Sequence, residues 1–165
     1  MGEDQHLIRI LVIDDDFECH KYVRQILEPH HCEYALNKQE GFKAFKLHCP
    51  DVVLLDMSLP DGSGIKLLED MIYYDPEAFI VMLTASHLKQ DIKEAYKMGA
   101  IGYIAKPFSA SKLQTVVEQY HQYVKQLKSL APQKRAEYIL KHLHSDVSEK
   151  YRLHPKRKPK IRSKR

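Results

Sequence analysis

Short apolar runs alternate along this chain with stretches whose apolar residues recur at helical spacing. Leu7 to Ile13, interrupted by Arg9, predicts a first strand. Cys19, Tyr22, Val23, Ile26 and Leu27 predict a helix that Pro29 ends. Cys32 to Leu36 predicts a second strand. Asn37 followed by Glu40 predicts a capped helix with Phe42, Phe45 and Leu47 on its apolar side. Val52-Val53-Leu54-Leu55 predicts a strand buried on both faces, closed by Asp56. Pro60, Gly62 and Gly64 then break the chain into a loop. A helix is expected from about Gly64 to Tyr74, a strand from Phe79 to Leu83, and a helix from about His87 to Met98 with Gly99 as its cap. Ile101 to Ala105 predicts a fifth strand. A long last helix starts near Ser109 or Ser111 and carries Leu113, Val116, Val117, Tyr120, Val124, Leu127 and Leu130 on one face. Past Pro132, a weaker amphipathic segment carries Ala136, Ile139, Leu140, Leu143 and Val147.

Five alternations of strand and helix predict an α/β fold with a parallel sheet between helical layers. Right-handed crossovers put every strand's carboxyl end on one edge, where open α/β sheets bind ligands. Asp14, Asp15, Asp56, Thr84 and Lys106 each follow an apolar run, so that edge gathers them. Adjacent carboxylates repel one another. A solvated acidic turn is one outcome; a Mg²⁺ site, which needs only one or two carboxylates, is the other.

Composition narrows the class. With 44% hydrophobic residues in 165, a core is expected. No run is long enough for a membrane span, and Met1 to His6 is polar, so a cytoplasmic protein is expected. Cys19, Cys32 and Cys49 have no metal-type spacing and read as free thiols. The net charge of +4 is unevenly placed: residues 150–165 hold nine basic groups and no acid, and residues 1–149 hold 17 basic groups against 22 acidic ones, a net of −5. The pairs His30-His31 and His142/His144 lack the partners or spacing of a metal site.

Taken in order, these groups resemble the receiver domain of bacterial two-component response regulators, and chemotaxis response regulators in particular. The resemblance covers roughly Leu7 to Val124. It rests on Asp14-Asp15, on Asp56 with Pro60 and Gly64 downstream, on Thr84-Ala85, and on Tyr103-Ile104-Ala105-Lys106-Pro107-Phe108. Asp56 lies 41 residues after Asp15, Thr84 lies 28 after Asp56, and Lys106 lies 22 after Thr84. The resemblance implies a doubly wound, flavodoxin-like sheet of order 2-1-3-4-5, with a receiver domain over 6–125 and a helical, basic extension over 126–165. It implies Asp56 as phosphoacceptor, with Lys106 and Thr84 contacting the phosphoryl group and the Ala85 amide beside them. It implies Mg²⁺ held by Asp15, Asp56 and the Ser58 carbonyl, with Asp14 acting through water. It implies Tyr103 as an aromatic switch and a cis bond before Pro107. Such a protein is a phosphoacceptor switch whose only catalysis is its own phosphorylation and dephosphorylation. A dehalogenase-like phosphatase would want an aspartate where Ser58 stands.

The expected partners are a histidine kinase or phosphotransfer protein. The alternative function is a DNA-binding transcriptional regulator that uses the basic tail or a further output domain. Leu127 and Leu130 extend the last helix's stripe past Val124 at near-heptad spacing. They are expected to bury either against a second chain, giving a dimer strengthened by phosphorylation, or against the segment 136–147 folded back. The dimer is the favoured expectation.

Overall fold

The structure, a computed structural model, describes residues 6–86 and 88–142. Its elements are β1 (Arg9–Ile13), α1 (Phe17–Leu27), β2 (His31–Ala35), α2 (Lys38–His48), β3 (Val52–Asp56), a hairpin of β4 (Ser58–Leu59) and β5 (Gly62–Ser63), α3 (Gly64–Tyr74), β6 (Ile80–Thr84), α4 (Lys89–Lys97), β7 (Gly102–Ala105), α5 (Ala110–Ser129) and α6 (Pro132–His142). The main sheet runs β2-β1-β3-β6-β7 and every pairing in it is parallel. Setting aside the small hairpin, this is the expected doubly wound order.

The burial pattern explains why the strands take these places. β3 and β6 are buried at every residue, as central strands covered on both faces must be. The edge strand β2 is buried only at Ala35. One apolar layer joins Val23 and Leu27 of α1 to Leu113, Val116 and Tyr120 of α5 across Val12 and Leu54. The other joins Phe45 of α2, Leu67 and Met71 of α3 and Ala95 of α4 across Ile13, Leu55 and Met82.

Side chains fix the helix starts. Asp16, exposed beside Asp15, caps α1 by accepting from the Glu18 amide. Asn37 accepts from the Glu40 amide, and the Glu40 carboxylate reaches back to the Leu36 amide. Leu47 departs from expectation: it is exposed, because the sheet-facing positions of α2 are held by Gly41 and Phe45.

The last two helices show how the terminal stripe packs within one chain. Leu113, Val116, Tyr120 and Leu127 are buried within the single chain. After Leu130 the chain reverses into α6, and Arg135 donates from Nε and Nη2 to the Leu127 carbonyl at 3.1 and 2.9 Å. Tyr138 donates to Gln126 Oε1 at 3.0 Å and packs on the layer that includes Leu127. Leu127 is therefore buried without a second chain, and Leu130 beside it is half-buried. Leu143, Val147, the basic run at 150–165 and the expected helix start at His87 lie outside the described residues, as do the side chains of Ala136, Ile139 and Leu140. No helix among the described residues is long and apolar enough to cross a membrane.

Candidate phosphoacceptor site

Strand register brings the site together. Ile13 pairs with Leu55, Asp56 with Leu83 and Thr84 with Ala105, so the residues after β1, β3, β6 and β7 share one edge. The Lys106 amide donates to the Thr84 carbonyl at 2.7 Å, which extends the β6–β7 ladder to the lysine. The bond between Lys106 and Pro107 is cis. A second cis bond, between Glu28 and Pro29, was not expected from the sequence.

Asp56 is buried at the end of β3. One of its carboxylate oxygens accepts from the Ser58 amide at 2.9 Å, and the other accepts from Lys106 Nζ at 2.7 Å. Asp14 is fully buried; it accepts from the Asp16 amide at 2.9 Å and from Lys106 Nζ at 2.5 Å. Lys106 thus bridges two carboxylates, a contact the sequence reading did not foresee. Asp15 is exposed beside them, and ligand oxygens of Asp14, Asp15 and Asp56 lie within 4.8 Å of one another.

The electrostatics follow from burial. Desolvation raises the Asp56 pKa above the ordinary carboxylate value, and the nearby Asp14 charge adds to this. The hydrogen bonds from Lys106 and Ser58 oppose the rise without cancelling it. For Lys106, burial alone would favour the neutral amine. The bonds to Asp14 and Asp56 outweigh burial and hold its pKa above the ordinary lysine value. Three carboxylates against one ammonium leave about two negative charges at this rim. A small group of hard oxygen donors with that excess can hold a divalent cation.

Thr84 is buried at the end of β6; its hydroxyl donates to Met57 Sδ at 3.8 Å and accepts from the Ser86 amide at 2.9 Å. Tyr103 is half-buried on β7, and its hydroxyl donates to the Ser86 carbonyl. Ser86 Oγ donates to Asp91 on α4 at 2.5 Å. Ser86 therefore joins Thr84 to Tyr103 and, through Asp91, to α4, while Met57 holds the Thr84 hydroxyl. Periodicity could not have found this relay, because none of Met57, Ser86 and Asp91 stands at a distinctive spacing. Ser58 is exposed on the hairpin. Asp61, in the same loop, accepts from the Lys38 and Gln39 amides and so ties the loop to the start of α2.

A family profile described as the response regulator receiver domain matches residues 10–118. The chain belongs to the response regulator receiver family. Protein CcdB of Bacillus subtilis is 34% identical over 116 residues, 68% of this chain and 97% of that protein. The chemotaxis protein CheY of Listeria monocytogenes is 27% identical over 116 residues, 68% of this chain and 98% of that one. A CheY-like receiver domain from Methanospirillum hungatei superimposes with a TM-score of 0.69 at 29% identity, covering 73% of this chain and 98% of that one. Asp14, Asp15 and Asp56 make an acidic pocket like the phosphoacceptor site of receiver domains.

Proposed function

We propose that the chain accepts a phosphoryl group on Asp56 from a histidine kinase or phosphotransfer protein, in a Mg²⁺-dependent reaction, and so switches a protein-interaction surface. The observation that supports it most is the buried Asp56 carboxylate held beside Asp14, Asp15 and Lys106.

A carboxylate oxygen of Asp56 forms the new P–O bond, and the leaving group departs with the electron pair of the bond that breaks. The transferred group carries negative charge on its oxygens, so the site's task is positioning and charge stabilisation. Lys106 meets part of that charge by transferring its ammonium from Asp56 to the phosphoryl group. Thr84 turns its hydroxyl from Met57 to a phosphoryl oxygen, with the Ala85 amide beside it. Asp15, Asp56 and the Ser58 carbonyl would hold Mg²⁺, with Asp14 behind them; the ion would supply the remaining positive charge. Movement of Thr84 acts on Ser86, which Tyr103 and Asp91 both hold. The same relay thereby reaches α4 and β7.

The metal half of this reading is tested by melting. Mg²⁺ should raise the melting temperature by an amount that grows with its concentration, and Asp15→Ala should abolish the rise. An undiminished rise in Asp15→Ala would place the ion elsewhere.

A further inference from the structure

A groove of about 650 Å³ lies between α3 and α4, beside the β4–β5 hairpin. Met57, Ile65 and Met98 give it apolar walls. Glu69, Asp91 and Glu94 also line it; Glu69 is paired with the one basic lining residue, Lys66, at 2.6 Å, which leaves the charges of Asp91 and Glu94 in excess. Sequence order on α4 makes this sorting plain. Asp91, Glu94 and Met98 recur at helical spacing and turn one face to the groove, whereas Lys89, Lys93 and Lys97 do not line it.

We infer that this groove is the docking site of the chain's own basic C-terminal segment, within residues 150–165. Charge complementarity is the first argument: that segment carries nine basic groups and no acid, and the rest of the chain is net negative. Tethering is the second. Residues 143–165 follow α6, and a chain of that length reaches about 75 Å when extended. The domain is roughly 30–40 Å across, so the groove is within reach. A tethered segment sees the groove at a high effective concentration, which a second copy or a free partner does not. Methionine walls adapt to an aliphatic lysine or arginine stem, and the carboxylates meet the charged ends. This inference does not depend on phosphoryl transfer. Ser86 stands in the groove wall and in the relay from Thr84, so an occupant would bear on that relay.

Carbodiimide crosslinking of the full chain tests the inference, because it joins a lysine to a carboxylate only where they touch. Crosslinks should run from Lys150, Lys156, Lys158, Lys160 or Lys164 to Glu69, Asp91 or Glu94, at monomer mass. They should be largely lost in about 0.5 M salt, where charges are screened over a few ångströms. The double variant Glu69→Gln, Glu94→Gln should lose them in low salt while keeping its circular dichroism spectrum. A second variant with the five tail lysines changed to glutamine should leave the groove acids unlinked to any tail residue. Crosslinks spread over exposed acids such as Glu18, Asp61 and Glu118, or found only at dimer mass, would overturn the inference. So would tight binding of duplex DNA by a tail that makes no groove crosslinks.

Discussion

Lys106 is the residue on which the site's charge balance turns. It stands 2.5 Å from Asp14 and 2.7 Å from Asp56, both buried. Removing one partner of a buried ion pair strands the other charges, at a cost of about 3 kcal/mol or more. Lys106→Met should therefore destabilise the metal-free protein by about 3 kcal/mol near pH 8, read by urea unfolding in a chelator. The sign of the pH dependence follows from Asp56. Its folded-state pKa is raised, so its ionisation opposes folding, and that penalty grows as pH rises above its ordinary value of 3.8. Without the lysine the penalty grows further, so the cost of Lys106→Met should shrink as pH falls toward 5. A cost that is equal at both pH values would mean that Asp56 is already compensated by another group.

At the scale of elements, Gly64 ties the acceptor strand to α3. Its amide donates to the Met57 carbonyl at 2.7 Å, and a Cβ built there would stand 2.0 Å from the Asp56 carbonyl oxygen. Backbone cannot move aside as a flexible side chain can. Gly64→Ala should cost about 1–3 kcal/mol and displace the strand end that carries Asp56. Thermal melting and phosphoryl labelling should both fall; full stability and labelling together would show that the loop relaxes freely. The boundaries of α3 were legible in the sequence because Gly64 and Asp75-Pro76 bracket its apolar stripe. The strands were legible to within about two residues, since Phe79 and Ile101 are apolar neighbours of strands that start one residue later. The rim residues Asp14, Asp15, Asp56, Thr84 and Lys106 were legible because each follows an apolar run. Their mutual contacts were not, because the span from Lys106 to Asp14 and the Ser86–Asp91 bond depend on how separate elements pack. The exposure of Leu47 escaped for the same reason: hydrophobicity gives a face, and packing chooses which residues occupy it.

At the scale of the whole molecule, α6 folds back onto the end of α5 within one chain. Leu127 is buried, and its carbonyl is held by Arg135. Leu127→Ala should cost about 2 kcal/mol, the lower end for a buried leucine, because it sits at the margin of the core. The melting midpoints of both proteins should not change with protein concentration, whereas a leucine buried between two chains would give a midpoint that rises with it. The central claim concerns the reaction that the assembled edge supports, and one chemical measurement addresses it. After incubation with acetyl phosphate and Mg²⁺, borohydride reduces an aspartyl phosphate to homoserine, and peptide mass spectrometry reads the position. The account predicts homoserine at position 56, dependent on Mg²⁺, and none at Asp14, Asp15 or Asp16. Homoserine at another aspartate with Asp56 intact, or none under conditions that label a known receiver domain, would contradict it.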